Sequence, residues 1–415
     1  MRQGVPRCAF YLFAYVPVIW YNDYLMDIVM KGGAAVKIML SAGEVSGDIQ
    51  GARIAEAILA QAPQAELFGL GGRKMEQAGV RLVRNFADYN VMGVWEVVKN
   101  LRRILQLLSE LEDSIREEKP DLLVLIDYPD FNWRLAKKAK ALGVPVFSYI
   151  PPSAWAWRKG RAKDCAAIAD EFCAIFPHEL PPYEAAGAKI SFVGNPMVDA
   201  VRPEIPEHEA REYFALAEEE QAVLLLPGSR RQEIELLLPD MLGAVHILAE
   251  GRPGLRFFLP VADQALEGRI TALIEAAGLT GRIELTHEHR YALMGLGTAA
   301  MATSGTVVME AALLGLPCVV LYRMGRLNYF LGRLLVHIES FSLPNIILGE
   351  PFETELLQAA VEPGRIAEEV RCLLPGSPRR EQVLAKLRAA CDLLGPPGAS
   401  GRVAEKILAA ARDKE

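Results

Sequence analysis

The chain has 415 residues, enough for two or three domains at about 150 residues each. Apolar residues make up 51% and charged residues 23%, which excludes a disordered chain. The 45 basic residues against 52 acidic ones leave a net charge of -7, which argues against a generic nucleic-acid binder and leaves local basic patches open.

The first segment stands apart. Cys8 to Tyr21 is an uncharged apolar run behind Arg2 and Arg7, interrupted by Pro17 and shorter than the about 20 residues of a membrane span. No small-residue cleavage pattern follows it. Residues 1–35 read as an N-terminal extension, with translation expected to start at Met26 or Met30 and residues 1–29 dispensable for activity.

From Val36 onward, short β-rich apolar runs alternate with segments of helical period, the pattern of βα units around a parallel sheet. Strands are expected at Val36–Leu40, Leu122–Ile126, Val144–Tyr149 and Glu171–Ile175, the series closing near Gly194-Asn195-Pro196. Residues 202–222 are rich in Pro, Glu and His and read as a connector. The alternation restarts with Val223–Leu226, Leu255–Pro260, Arg282–Leu285, Ala299–Thr303 and Cys318–Tyr322. The fold class is therefore α/β, with two Rossmann-like domains at 36–202 and 203–378. A helical tail at 379–415 is broken at Gly395-Pro396-Pro397-Gly398. In such sheets ligands bind beyond the carboxyl ends of the strands, so the loops that follow strands are the ones to examine.

Four such loops hold chemistry. Ser41 to Asp48 (SAGEVSGD) is a Gly-rich turn in which Ser46 or Asp48 can cap the next helix, and it lacks the G-x-G-x-x-G of a dinucleotide site. Asp127-Tyr128-Pro129-Asp130-Phe131-Asn132 follows an all-apolar strand; Asp127 or Asp130 could deprotonate a hydroxyl there, or both could be turn and cap residues, with Asn132 fixing the loop. Pro227-Gly228-Ser229-Arg230-Arg231 joins a Gly turn, a helix N-terminus and two positive charges into an anion cradle, without the spacing of a P-loop; an exposed basic turn is the plainer reading. Thr303-Ser304-Gly305-Thr306 opens a helix expected at Val307–Leu314. Glu310, one turn in, could accept hydrogen bonds from two vicinal ribose hydroxyls or merely favour the helix dipole.

Trp155 and Trp157 on another post-strand loop suggest a ligand wall or core packing. The six histidines show no metal-ligand spacing and Asp127 with Asp130 is a weak pair for magnesium, so neither metal nor cofactor is expected. The six cysteines are scattered without C-x-x-C and are expected to behave as buried small side chains in a reducing compartment. Met92–Leu108 and Arg323–His337 are apolar segments carrying basic residues, suited either to an anionic membrane surface or to core helices with snorkelling arginines.

Taken in order, AGEVSGD, GLGG, VMGVWEV, IDYPDFN, PSAWAWR, FVGNPMVDAV, LLPGSRRQEI, ATSGTVVMEAALLG, YRM and SLPNIILGE resemble the lipid-A-disaccharide synthase family from about Val36 to about Gln358. The resemblance implies a GT-B type fold and an inverting glycosyltransferase. Such an enzyme moves 2,3-diacylglucosamine from its UDP carrier onto 2,3-diacylglucosamine 1-phosphate (lipid X), giving the β(1→6) disaccharide 1-phosphate and UDP. It makes 36–202 the acceptor side and 203–378 the UDP-sugar side. It implies a peripheral protein on the cytoplasmic face of the inner membrane, and a homodimer exchanging C-terminal segments.

Residue by residue, the resemblance makes Asp127 the general base and places Ser46 and Glu44 at the reaction centre. Arg230, with Gly228 and Ser229, matches the diphosphate ligand, with Ser304, Gly305 and Thr306 beside it; Glu310 matches the ribose carboxylate. Arg323, Asn345 and Gln358 match positions tied to the donor or its stabilisation. Met92, Trp95, Val98, Arg102 and Trp155 would face the acceptor lipid. Departures from the family pattern are Pro151, Asn195 and Tyr128, where a serine, a histidine and a small residue are usual. Two other readings remain: a UDP-N-acetylglucosamine 2-epimerase, which needs no lipid acceptor, and a non-catalytic UDP-sugar sensor or membrane scaffold.

Overall fold

Apolar runs too short for helices and greasy on every side can be buried only in the middle of a covered parallel sheet. The computed structural model describes residues 35–89, 94–152, 161–250, 252, 254–325 and 340–413, the side chains of 94–101, 161 and 162 excepted. In it, β1 (Lys37–Ala42), β2 (Glu66–Gly71), β3 (Arg81–Asn85), β4 (Leu122–Ile126), β5 (Val146–Tyr149), β6 (Glu171–Ala174) and β7 (Ile190–Phe192) form one seven-stranded sheet. β8 (Gln221–Leu226), β9 (Leu255–Pro260), β10 (Ile283–Thr286), β11 (Gly297–Thr303), β12 (Cys318–Tyr322) and β13 (Glu355–Leu357) form a second sheet of six. All described strand pairs are parallel. The chain thus adopts the two Rossmann-like α/β domains its alternation implies.

The helices used below are α1 (Val45–Gln61), α2 (Arg73–Gln77), α3 (Val94–Glu118) and α4 (Pro129–Ala141) in the first lobe. In the second lobe they are α5 (Arg231–Ala249), α6 (Arg290–Leu296), α7 (Thr306–Leu313) and α8 (Pro378–Asp392), after which α9 (Ala399–Arg412) ends the described chain. Successive strand residues point to opposite faces. Ile38, Leu40, Val124 and Ile126 therefore join one core, while Met39, Leu123 and Leu125 join another across the same sheet. The tail divides between the lobes. Val383, Leu387 and Ala390 of α8 belong to the second lobe's core, whereas Val403, Ile407 and Leu408 of α9 pack with Ile38 and Leu40 of the first.

The strand orders are β3-β2-β1-β4-β5-β6-β7 and β10-β9-β8-β11-β12-β13. The strand order in each sheet therefore reverses, at β1/β4 in the first lobe and β8/β11 in the second, with the strands themselves parallel. Loops leaving a pair of strands at such a switch point diverge to opposite faces and leave a crevice for ligand. The loops after these four strands are the SAGEVSGD, IDYPDFN, LLPGSRR and ATSGT turns.

Four strands escape the apolar-run criterion. β2 (ELFGLG) is glycine-rich because Gly69, at φ +144°, lies against β1: a Cβ there would stand 1.9 Å from the Leu40 carbonyl oxygen. β3 is an edge with arginines at both ends of its apolar pair, and β7 and β13 are three residues each. The first helix also begins earlier than the Ser46 or Asp48 cap suggests: α1 starts at Val45 behind Glu44, with no side-chain cap. Asp48 is buried and instead accepts the amides of Gly72, Lys74 and Met75, capping α2. Among the described residues no helix is long and apolar enough to cross a membrane. Among the described residues Cys165, Cys173 and Cys318 are buried as expected, Cys372 and Cys391 are only partly buried, and none is in a disulfide.

Candidate active site

Asp127 occupies the first position beyond β4, with its backbone at φ +52°, followed by Tyr128 at φ +51°. Two consecutive non-glycine residues in the left-handed region are strained, by about 1 kcal/mol or more each, and need external support. Buried Asn132 provides it: its amide donates to the Asp127 carbonyl at 2.7 Å and the Ser41 carbonyl at 3.2 Å, and its oxygen accepts the Ser41 hydroxyl at 2.7 Å. Pro129 in the first turn of α4 fixes the exit. The Tyr128 ring then lies over the SAGEVSGD turn so closely that a Cβ on Gly43 would meet it at 2.2 Å. Tyr128, where a small residue is usual, is accommodated because residue 43 has no side chain.

The Asp127 carboxyl is half-buried, and this burial raises its pKa above the ordinary aspartate value, the Tyr128 amide pulling back in the other direction. Glu44, at the exposed start of α1, is also raised. Burial is the larger cause, the Asp127 charge adds to it, and Arg230 of the second lobe opposes it. Glu44 thus senses a carboxylate of its own lobe and a guanidinium of the other, so these loops lie within electrostatic reach across the gap. Ser46 is exposed beside it. Glu179, which the sequence does not single out, is buried behind this centre; the amides of Ile175 and Phe176 donate to it at 3.3 and 3.1 Å. Burial pushes it up to about 7, and Asp127 contributes in the same sense.

On the second lobe, Gly228 turns the chain at φ +106°, where a Cβ would stand 2.2 Å from the Glu233 carboxylate. Glu233 accepts the Arg230 amide and lies 3.5 Å from its guanidinium, whose side chain is 81% exposed. Arg230 is therefore held at its base, while its exposed tip makes a long ion pair with Glu233. Ser229 is exposed, as are Gly305 and Thr306 at the start of α7. Nothing lies within 4 Å of where a Cβ on Gly305 would stand. Two helix N-termini and one exposed cation thus flank open space, a favourable place for a diphosphate. Glu310, one turn into α7, is mostly buried and held by Arg290 and Tyr291, each at 3.3 Å from its Oε1.

Three other sequence-derived candidates are engaged inside the lobe. Arg323 donates to the Asp240 carboxylate and the Leu236 carbonyl of α5 and to the carbonyls of Gln358 and Val361. Gln358, itself at φ +54°, donates to the Met324 carbonyl. Asn345 is buried with both ends satisfied: it donates to Glu353 and Glu355 and accepts the amides of Phe352 and Glu353. Glu355 in turn takes the amides of Phe341 and Ser342, and Ser304 donates its hydroxyl to the Phe341 carbonyl. These residues brace the α7 turn from behind.

Of the lipid-facing candidates, Met92 and Trp155 lie outside the described residues, as do the side chains of Trp95 and Val98. Arg102 is exposed, with Arg103 and Leu105 beside it, while Leu107, Leu108, Leu111 and Ile115 of the same helix are buried in the first lobe's core. The residues that sequence reasoning passed over, Glu179 and the pair Arg290–Tyr291, share one signal. Each follows a strand, β6 or β10, at its carboxyl end.

A family model described as lipid-A-disaccharide synthetase matches residues 38–395. A lipid-A-disaccharide synthase from Myxococcus xanthus is 41% identical over 375 residues, covering 90% of this chain and 97% of that one. One from Syntrophus aciditrophicus is 40% identical over 371 residues, covering 89% and 97%. Among solved structures, a UDP-N-acetylglucosamine 2-epimerase from Neisseria meningitidis bound to UDP-GlcNAc superposes with a TM-score of 0.58 at 13% identity, covering 90% of this chain and 99% of that one. A ugt transferase from Siraitia grosvenorii in complex with UDP gives 0.58 at 12%, covering 90% and 100%. At such identities the structural likeness speaks for the fold alone, and the epimerase resemblance goes no further.

Proposed function

The chain belongs to the lipid-A-disaccharide synthase family, and from that premise we propose how its residues carry out the transfer and where it does so. The acceptor is lipid X and the donor UDP-2,3-diacylglucosamine. Asp127 takes the proton of the acceptor's 6-hydroxyl as that oxygen attacks the anomeric carbon. The carbon–oxygen bond to UDP breaks on the opposite face, inverting the centre and giving the β(1→6) disaccharide 1-phosphate. The electron pair leaves with the diphosphate, whose growing charge is met by Arg230 and the N-termini of α5 and α7.

The observation that carries this reading is the placement of Asp127. It sits at a sheet's switch point, half-buried, in electrostatic contact with Glu44, which itself responds to Arg230 of the other lobe. Desolvation that raises the carboxyl's pKa makes it a better proton acceptor. Glu44 and Ser46 line the centre, Glu310 receives the ribose hydroxyls, and Arg323, Asn345 and Gln358 hold the donor lobe's loops in position. The exposed Arg102, Arg103 and Leu105 of α3 support contact with an anionic membrane surface, where the acyl chains of both substrates reside. This suits a peripheral protein on the cytoplasmic face of the inner membrane, with Met92, Trp95, Val98 and Trp155 on the lipid side.

The test uses purified protein, UDP-diacylglucosamine and lipid X, scored for disaccharide and for UDP. Disaccharide formation with UDP release that requires lipid X is expected. UDP release or epimerised sugar without an acceptor would support the epimerase reading instead, and tight donor binding with no product would support a sensor.

A further inference from the structure

Resting on the reading of Glu310 as the ribose ligand, we propose that Arg290 and Tyr291 are positioning residues that aim its carboxylate at the two ribose hydroxyls of the UDP moiety. Three side chains form a closed triangle. Arg290 Nη2 donates to the Tyr291 hydroxyl at 2.7 Å, and both groups lie 3.3 Å from the same Glu310 oxygen, Oε1. The guanidinium carbon also sits 4.5 Å from the centre of the Tyr291 ring, so the arginine is fixed by stacking as well as by hydrogen bonds.

The consequence lies in which oxygen is used. With two donors on Oε1, the carboxylate can no longer rotate freely, and Oε2 carries no hydrogen bond among the described residues. A free glutamate loses side-chain entropy when it closes on a diol; one already clamped loses less, and the difference appears as affinity. An ion pair half-open to solvent contributes little to stability by itself. Its value here is therefore sought in orientation, not in folding.

The clamp has its own support. Arg290 and Tyr291 open α6 behind His289, whose backbone is at φ +54°. Glu204, in the connector from the first lobe, accepts the amides of Tyr291 and Ala292 at 3.2 and 2.9 Å. That carboxylate satisfies the orphan donors of the helix start and holds the clamp in register. The Glu310 aim is thereby set partly from the connector.

Calorimetric titration of the full chain with UDP and with 2′,3′-dideoxy-UDP separates aim from structure. The intact protein should favour UDP by at least about tenfold, the low end for a single charge-assisted hydrogen bond. Glu310→Gln should bring that ratio near one. Arg290→Met and Tyr291→Phe should lower it to within about threefold of the Glu310→Gln value while leaving the dideoxy affinity unchanged, and Arg290→Met added to Glu310→Gln should cost nothing further. Tyr291→Phe removes a single hydroxyl, so the measurement survives if Arg290→Met fails to fold. A loss shared equally by both nucleotides, or a ratio kept in both clamp variants, would overturn the aiming role. A ratio near one in the intact protein, or one untouched by Glu310→Gln, would instead sink the ribose reading on which it rests.

Discussion

The proposed role of Asp127 as general base requires its charged form, whereas its burial works toward the neutral one. Burial raises its pKa above the usual aspartate range, so activity should be lost as pH falls through a value higher than that of a free aspartate. Glu44 shares the centre, and a like charge beside a carboxylate makes ionisation harder. Asp127→Asn should therefore lower the Glu44 pKa, read by NMR titration of its side-chain carboxyl; an unmoved Glu44 would mean the two carboxyls do not share a site. Asp127→Asn should lower disaccharide formation by about 100- to 10,000-fold, the usual range for a lost general base, with UDP binding preserved. Arg230→Ala should cost about 100- to 1,000-fold in turnover and weaken UDP binding as well, because its exposed tip has no rival task beyond a 3.5 Å approach to Glu233. Rate and UDP affinity, measured together on the two variants, distinguish the base from the leaving-group ligand.

The elements behind the donor site depend on a buried acid. Glu353 accepts the amide of Cys318, at the start of β12, and the hydroxyl of Ser342, and burial pushes its pKa up to about 8. A carboxyl raised in the folded state binds more protons there than in the unfolded chain. Its contribution is complete below the ordinary value of 4.5 and fades as pH rises through 8. Glu353→Gln, neutral at every pH, should flatten that loss, which is at most about 1.4 kcal/mol per pH unit, when unfolding free energies are compared at low and high pH. Equal slopes in both proteins would assign the acid no such role. The same segment shows where sequence reasoning ends. Leu122–Ile126, Leu255–Pro260 and Cys318–Tyr322 are legible as strands to the residue: the first and last are apolar throughout, as covered strands must be, and Leu255–Pro260 is apolar but for Arg256. β13 is not legible, since Glu355 at its start spends its charge on the amides of Phe341 and Ser342, a partnership invisible along the chain. Likewise Asp127, Arg230 and Glu310 stand out after apolar runs and glycine turns. Arg290 gains meaning only once α6 and α7 are seen to bring it to Glu310.

The chain passes between the lobes twice, and the two passages lie side by side. Asn195 donates its backbone amide to the Leu394 carbonyl at 2.9 Å and its side chain to Ile175, while Asp199 accepts the Gly398 amide. Arg402 of α9 joins them: it donates to the carbonyls of Val193, Pro396 and Pro397 at 2.8, 2.7 and 2.8 Å. The approach requires Gly194, at φ +85°, where a Cβ would stand 2.5 Å from the guanidinium. Since α9 packs in the first lobe's core and α8 in the second's, this cluster ties the two lobes together where the chain returns. Chemistry between two lobes is sensitive to the angle between them in a way that binding to one lobe is not, because a misplacement of about 1 Å can cost about 100-fold in rate. Arg402→Met should therefore reduce turnover by roughly 10- to 100-fold while UDP affinity, proposed to belong to the second lobe, stays within about twofold. Arg402→Lys, which keeps the charge but loses the planar fork, should recover only part of the rate. A fall in UDP affinity matching the fall in rate would place the damage in the second lobe itself and leave this cluster no part in aligning the lobes.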